Sequence, residues 1–130
     1  MMDTLQITVE DRPAGTAVLT LAGSLDASGT PKLTEQCEAL VSRGVSRLII
    51  HLAQINFISS SGIGTLLMLS EDLEEDGGAV VLVELSPEVE SVFTILDLEE
   101  VLTVAASVGE AMTRLRMLGK NDDEELRRSA

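Results

Sequence analysis

Apolar and polar residues alternate at the start of the chain. Leu5, Ile7 and Val9 interleave with Gln6, Thr8 and Glu10, the period of two that marks a half-buried strand. Pro13-Ala14-Gly15 is turn chemistry, and residues 17–22 (AVLTLA) read as a second strand, so the two form a hairpin. Residues 23–29 (GSLDASG) read as a polar loop. Thr30 ahead of Pro31 reads as an N-cap before a proline at the first helical position. Leu33, Cys37, Leu40 and Val41 then recur at helical spacing until Gly44. Residues 47–52 (RLIIHL) form a short apolar run, expected to be a buried strand, and residues 56–61 a turn. Ile63, Leu66, Leu67 and Leu73 give a second helical stripe that ends in Glu74-Glu75-Asp76-Gly77-Gly78. Residues 79–83 (AVVLV) are another buried strand. Ser86-Pro87 opens a third helix with Val89, Val92, Phe93 and Leu96 on one face, and residues 101–105 (VLTVA) are the last strand. Ser107 with Glu110 reads as a capping box for a closing helix that carries Val108, Ala111, Met112, Leu115 and Leu118.

Two strands, then three helix–strand pairs, then a helix imply an α/β fold with mostly parallel pairing and buried central strands. Residues 1–118 are expected to form one domain. Residues 119–130 are nearly all polar and are expected to be a flexible, charged tail. A chain of 130 residues suits a single domain and can bury a core without staples.

Composition narrows the function classes. Hydrophobic residues make up 45% of the chain but aromatic residues only 2%, so the core is aliphatic and stacking platforms for bases or sugars are disfavoured. A net charge of −13 argues against nucleic acid, whose phosphates are bound by Lys and Arg. The single cysteine, Cys37, can make no internal disulfide and lies on an apolar helix stripe, so it reads as a small buried hydrophobe. The first ten residues are neither basic nor continuously apolar, unlike a signal peptide. No apolar run reaches the roughly 20 residues of a membrane span. A cytoplasmic protein without membrane insertion is the expectation.

Candidate chemistry concentrates in Phe57-Ile58-Ser59-Ser60-Ser61-Gly62-Ile63-Gly64, where a strand runs into a helix. Three hydroxyls and two glycines there have a plain structural meaning: serine caps the helix and glycine permits a close turn. The functional reading is that one serine accepts a phosphoryl group. A helix N-terminus tolerates the added anion through its free N–H groups and dipole. A charge of about −1.5 to −2 would then confront any partner surface fitted to a neutral hydroxyl. Enzyme signatures fail on spacing. Gly62-Ile63-Gly64 lacks the third glycine of a dinucleotide fingerprint, and no phosphate loop of the form GxxxxGKS or GxxxxGKT occurs. A nucleophile elbow needs a glycine two residues before its serine, and Ile58 stands there for Ser60. His51 is the only histidine, expected at a strand end with a satisfied ring, so neither a Ser–His–Asp triad nor a zinc site is supported. Asp26 reads either as a turn residue bonded to its own backbone or as part of a loop lying beside residues 59–61, at the strand ends where open α/β sheets place their sites.

Gly23-Ser24-Leu25-Asp26, the run from Leu48 through Phe57, and Ser59-Ser60-Ser61-Gly62-Ile63-Gly64 resemble, in order, the STAS domain of anti-sigma-factor antagonists. Gly77-Gly78-Ala79-Val80-Val81 and Leu85-Ser86-Pro87-Glu88-Val89 match in character, and the resemblance covers about residues 5–117. It implies a four- or five-stranded mixed sheet with about four helices packed against it. It also implies a non-enzymatic module that regulates transcription by partner switching and needs no cofactor. The unmodified protein would bind a serine kinase, itself the anti-sigma factor, of the histidine-kinase-like ATPase fold. Phosphorylation would release it and a serine phosphatase would reset it. By position in the motif the acceptor is Ser60, with Ser59 the less favoured alternative. Asp26, Ser59, Ser61, Gly62, Ile63 and Gly64 would face the partner. In the family an acid usually precedes the acceptor; here that residue is Ser59, and His51 stands where another family aspartate would be expected. STAS-like proteins also serve as unphosphorylated subunits of lipid-transport ATPase complexes or as scaffolds of sensory assemblies, the alternative reading.

Overall fold

A computed structural model describes residues 4–117; Leu118 and the tail expected over residues 119–130 lie outside the described residues. Five strands form one mixed sheet: β1 (Gln6–Arg12), β2 (Thr16–Leu25), β3 (Arg47–Ile58), β4 (Ala79–Val83) and β5 (Thr103–Ala105). They lie in chain order across the sheet. β1 and β2 form the antiparallel hairpin, with Val9 opposite Leu19, and every later pairing is parallel. The helices are α1 (Thr30–Ser42), α2 (Ser60–Glu75), α3 (Pro87–Ile95) and α4, which is helical over residues 108–117. The expected α/β architecture is therefore present.

Alternation within the buried strands makes two cores. Leu19, Leu48, Ile50 and Leu82 face α1, α2 and α3 through Leu33, Cys37, Leu66, Leu69 and Phe93. Val18, Ile49, Val81 and Val83 face the opposite way, onto Ala111 and Leu115 of α4. Sequestering both faces of the central strands from water supplies the main driving force of the fold. Cys37 is buried as expected; burial, reinforced by the Glu38 carboxylate, pushes its thiol up to about 12. It is an inert core residue.

Several boundaries differ from the sequence reading. β2 continues to Leu25 and β3 to Ile58, so the first part of the expected loop 23–29 and the first half of the expected turn 56–61 are strand. Two register shifts explain this. Thr20 pairs with His51 but Ala22 with Gln54, and Gly23 pairs with Ile55 but Ser24 with Phe57, so β3 carries an extra residue at each step. The bulges turn Leu52, Ile55 and Ile58 to the core at intervals of three, a spacing that hides a strand from a period-two search. His51 is consequently inside β3 and not at its end. Thr30 is not an N-cap: Gly29 occupies that position, because the Asp26 backbone carbonyl takes the Gly29 and Thr30 N–H groups at 3.0 and 2.9 Å. The last strand is only Thr103–Ala105, since Leu98–Glu100 winds into a 3-10 turn. At the start of α4, Ser107 accepts from the Glu110 N–H as expected. The Glu110 carboxylate reaches one residue further back than a capping box requires, to the Ala106 N–H.

Candidate functional site

β4 covers β3 only between Arg47 and His51, and β1 pairs with β2 only as far as Ala22, so from Gly23 and Ile55 onward β2 and β3 pair with each other alone and form a two-stranded ribbon. The ribbon ends in the two segments singled out from the sequence. Ser59 extends the chain past β3, and its N–H donates to the Leu25 carbonyl at 3.0 Å. Asp26 follows Leu25 directly. The loop carrying Asp26 and the turn carrying residues 59–61 are therefore neighbours across one backbone hydrogen bond.

Each serine of the run has a different position. Ser59 is half-buried and is the N-cap of α2; its hydroxyl accepts the Gly62 N–H at 3.3 Å and its carbonyl the Ile63 N–H at 3.0 Å. Ser60 and Ser61 occupy the first turn and are exposed, beside backbone N–H groups that have no partner within the helix. No acidic residue stands in that first turn. The positive end of the α2 dipole is thus uncompensated by its own helix, at the place where an anion is best tolerated.

The two glycines differ equally. A Cβ on Gly62 would lie 2.4 Å from the Leu25 carbonyl oxygen, so only glycine lets α2 start this close to the end of β2. A Cβ on Gly64 would meet nothing within 4 Å, and Gly64 is exposed. Ile63 between them is half-buried and packs against the larger core.

Asp26 holds its own loop. Its Oδ1 accepts from the Ser28 hydroxyl at 2.8 Å and from the Ser28 and Gly29 N–H groups at 3.1 Å each. The Ser28 hydroxyl is the largest influence and holds the carboxyl below its ordinary value; desolvation opposes it, and the Gly29 and Ser28 amides add to the lowering. The turn-residue reading and the loop-adjacency reading of Asp26 both describe the structure. Opposite the site, the Ser24 hydroxyl donates to the Asn56 side chain at 3.3 Å and ties the ribbon ends together.

Two features escaped the sequence reading. Phe57, one of only two phenylalanines, is 53% exposed on the ribbon two residues before Ser59. The bulges turn it outward, and no periodicity signal would have shown that. His51 was expected to have a satisfied ring. Its Nε2 lies 2.8 Å from a Glu84 carboxylate oxygen, but its Nδ1 is buried with no hydrogen-bond partner. Glu84 itself takes a left-handed backbone at φ 49°. Among the described residues no group of His, Cys, Asp or Glu is arranged to hold a metal ion, and no helix is long and apolar enough to cross a membrane.

A glycine-dependent strand–helix junction lying beside an acidic loop, on a five-stranded sheet of this order, invites comparison with known proteins. The family model of the STAS domain matches residues 6–111. The chain belongs to the STAS domain family. Within it, BtrV of Bordetella bronchiseptica is 30% identical over 97 residues, which span 75% of this chain and 84% of BtrV. The anti-sigma factor antagonist SpoIIAA in its unphosphorylated form superposes with a TM-score of 0.72 at 27% identity, over 85% of this chain and 96% of SpoIIAA. The phosphorylated form of SpoIIAA, described as a Bacillus cell fate determinant, gives 0.65 at 25% identity, over 84% and 98%. This STAS domain is therefore similar to a protein solved both with and without a phosphoryl group.

Proposed function

We propose that this STAS protein is a cytoplasmic anti-sigma factor antagonist that works as a non-enzymatic binding module, switched by phosphorylation of Ser60. The observation that carries the reading is the division of labour among adjacent serines. Ser59 spends its hydroxyl on capping α2, whereas Ser60 is exposed one residue further on. A kinase can reach the Ser60 Oγ without dismantling the cap, which favours Ser60 over Ser59 as acceptor. In the transfer, the γ-phosphoryl of ATP held by the partner passes to the Ser60 Oγ, the hydroxyl proton leaves and ADP remains on the partner. The product carries about −1.5 to −2 charge at a helix start that tolerates it, so the fold persists while the docking surface gains negative charge.

The partner-facing surface is the ribbon end: Asp26, Ser59, Ser61, Ile63 and Gly64 around Ser60, with Gly62, expected from the motif to face the partner, buried instead against the end of β2. Gly64 supports this. Glycine inside a helix is less favourable than alanine by about 1 kcal/mol, and no packing at Gly64 requires it. A bare, exposed helix backbone suits close approach by another protein. The partner is a serine kinase of the histidine-kinase-like ATPase fold that is also the anti-sigma factor, and a serine phosphatase resets the cycle.

The test is capture from the native host's lysate with Ser60→Ala and Ser60→Glu as paired baits. Ser60→Ala is expected to retain a histidine-kinase-like ATPase and Ser60→Glu to lose it by about 100-fold, as expected when an uncompensated charge enters a buried contact. Equal capture by both baits would defeat the switch. Recovery of a lipid-transport ATPase or of a large sensory assembly would instead support the unphosphorylated subunit or scaffold reading.

A further inference from the structure

The seam between α1 and α2 is not closed by their own side chains. A groove of about 520 Å³ runs along it, floored by Val41, Met68 and Leu69 and rimmed by Glu38, Asp72 and Asp76. Val41 and Met68 are each 42% exposed, so the sequence places two large apolar residues from facing helices in the same open channel. Asp72, in the last turns of α2, and Asp76, its C-cap residue, both line the groove. Among the described residues no Lys or Arg lines the groove. It also lies away from the switch: Met68 to Asp76 stand eight to sixteen residues beyond Ser60, about 12 to 24 Å along the helix axis.

The chemistry of the groove discriminates among occupants. A second copy of this chain would bring its own net charge of −13 against an acidic rim, and a nucleic acid or anionic membrane would meet the same repulsion. An apolar floor between carboxylates is complementary to a helix whose apolar stripe is flanked by Lys or Arg. The flexible thioether of Met68 can repack around different apolar side chains. We propose that the α1–α2 groove docks a cationic amphipathic helix of a partner protein, independently of the state of Ser60.

The test uses two synthetic Leu/Lys peptides of about 14 residues, roughly four helical turns. They have identical composition; one carries its leucines at helical spacing and the other is scrambled. Each is titrated into the isotope-labelled full chain and followed by NMR. The amphipathic peptide is expected to bind at least about tenfold more tightly than the scrambled one and to shift the Met68 methyl and the groove-lining amides. Met68→Asp, and separately Asp72→Lys with Asp76→Lys, are each expected to weaken binding about tenfold or more. The milder pair Asp72→Asn with Asp76→Asn keeps the result interpretable if charge reversal disturbs α2. Equal affinity for the two peptides, shifts spread over the acidic surface or centred on residues 59–64, or unchanged binding by the variants would each overturn the proposal. So would self-association through the groove.

Discussion

Three described helices of this domain begin on a capping serine, and two of them, α2 and α3, begin in the same way up to the first turn. Ser86 donates its N–H to the Leu52 carbonyl at 3.2 Å and accepts the Val89 N–H on its hydroxyl at 3.2 Å; Ser59 does the same with the Leu25 carbonyl and the Gly62 N–H. Beyond the cap they diverge. α3 continues with Pro87 and carries Glu88 and Glu90 in its first turn, and Ser86 is 3% exposed. That helix end is sealed, with its dipole matched by carboxylates of its own. α2 continues with two exposed serines and no acid. The comparison separates capping, which both serines perform, from display, which only the α2 end offers. A serine at a helix start is thus weak evidence of a site; a second, exposed one just past the cap, with no acid nearby on the helix, is better evidence.

The largest test of this contrast is at the third helical position, where α3 has the buried Val89 and α2 has Gly62. The Leu25 carbonyl forbids a side chain at Gly62. Gly62→Ala is expected to destabilise the domain by about 3 kcal/mol through forced backbone displacement. Gly64→Ala, two residues further along the helix in open space, is expected to stabilise it by about 0.5–1 kcal/mol and to weaken capture of the partner. Denaturant unfolding measures both. A Gly62→Ala protein as stable as the wild type would mean that α2 does not begin hard against β2.

Next in size are the serines themselves. Loss of a fully buried cap leaves an unsatisfied donor, so Ser86→Ala is expected to cost about 2 kcal/mol, and Ser59→Ala, half-exposed, about 1 kcal/mol. Ser60→Ala is expected to stay within about 0.5 kcal/mol of the wild type. If Ser60→Ala proved as costly as Ser59→Ala, Ser60 would be a structural residue and the assignment of display to it would fail.

Most of the fold was legible because the buried strands and helical stripes carry strong periodicity: residues 79–83, and Leu33-Cys37-Leu40, are read correctly from spacing alone. The site was legible as a motif but not as a place. Its strands were cut short because the bulges in β3 replace alternation by Leu52, Ile55 and Ile58, and because Gly23, at φ 103°, continues β2 where composition suggests a loop. The cap of α1 was misplaced since Asp26, four residues before Thr30, collects the N–H groups that a local rule gives to the nearest hydroxyl. Val41 and Leu96 have helical spacing yet are exposed, because a stripe records which face is apolar and not whether a neighbour covers it.

The smallest expected effect concerns Asp26, which ties the second loop of the site. Its carboxyl sits below the ordinary 3.8, chiefly through the Ser28 hydroxyl. A lowered folded value means that the loop contacts favour the ionised form. Their contribution is fully present above the unfolded value and is lost as pH falls through the folded one, so acidification from neutrality to about pH 5 leaves them intact. Ser28→Ala removes the largest cause, and the Asp26 midpoint, followed by NMR of its carboxyl carbon, is expected to rise toward 3.8. Ser60→Glu is expected to raise it as well, because a like charge at the neighbouring helix start disfavours ionisation. Sensitivity to Ser28 but not to Ser60 would mean that the two loops touch through backbone while their side chains act separately. Asp26 would then be a loop tie only, and the surface met by a partner would be the α2 end alone.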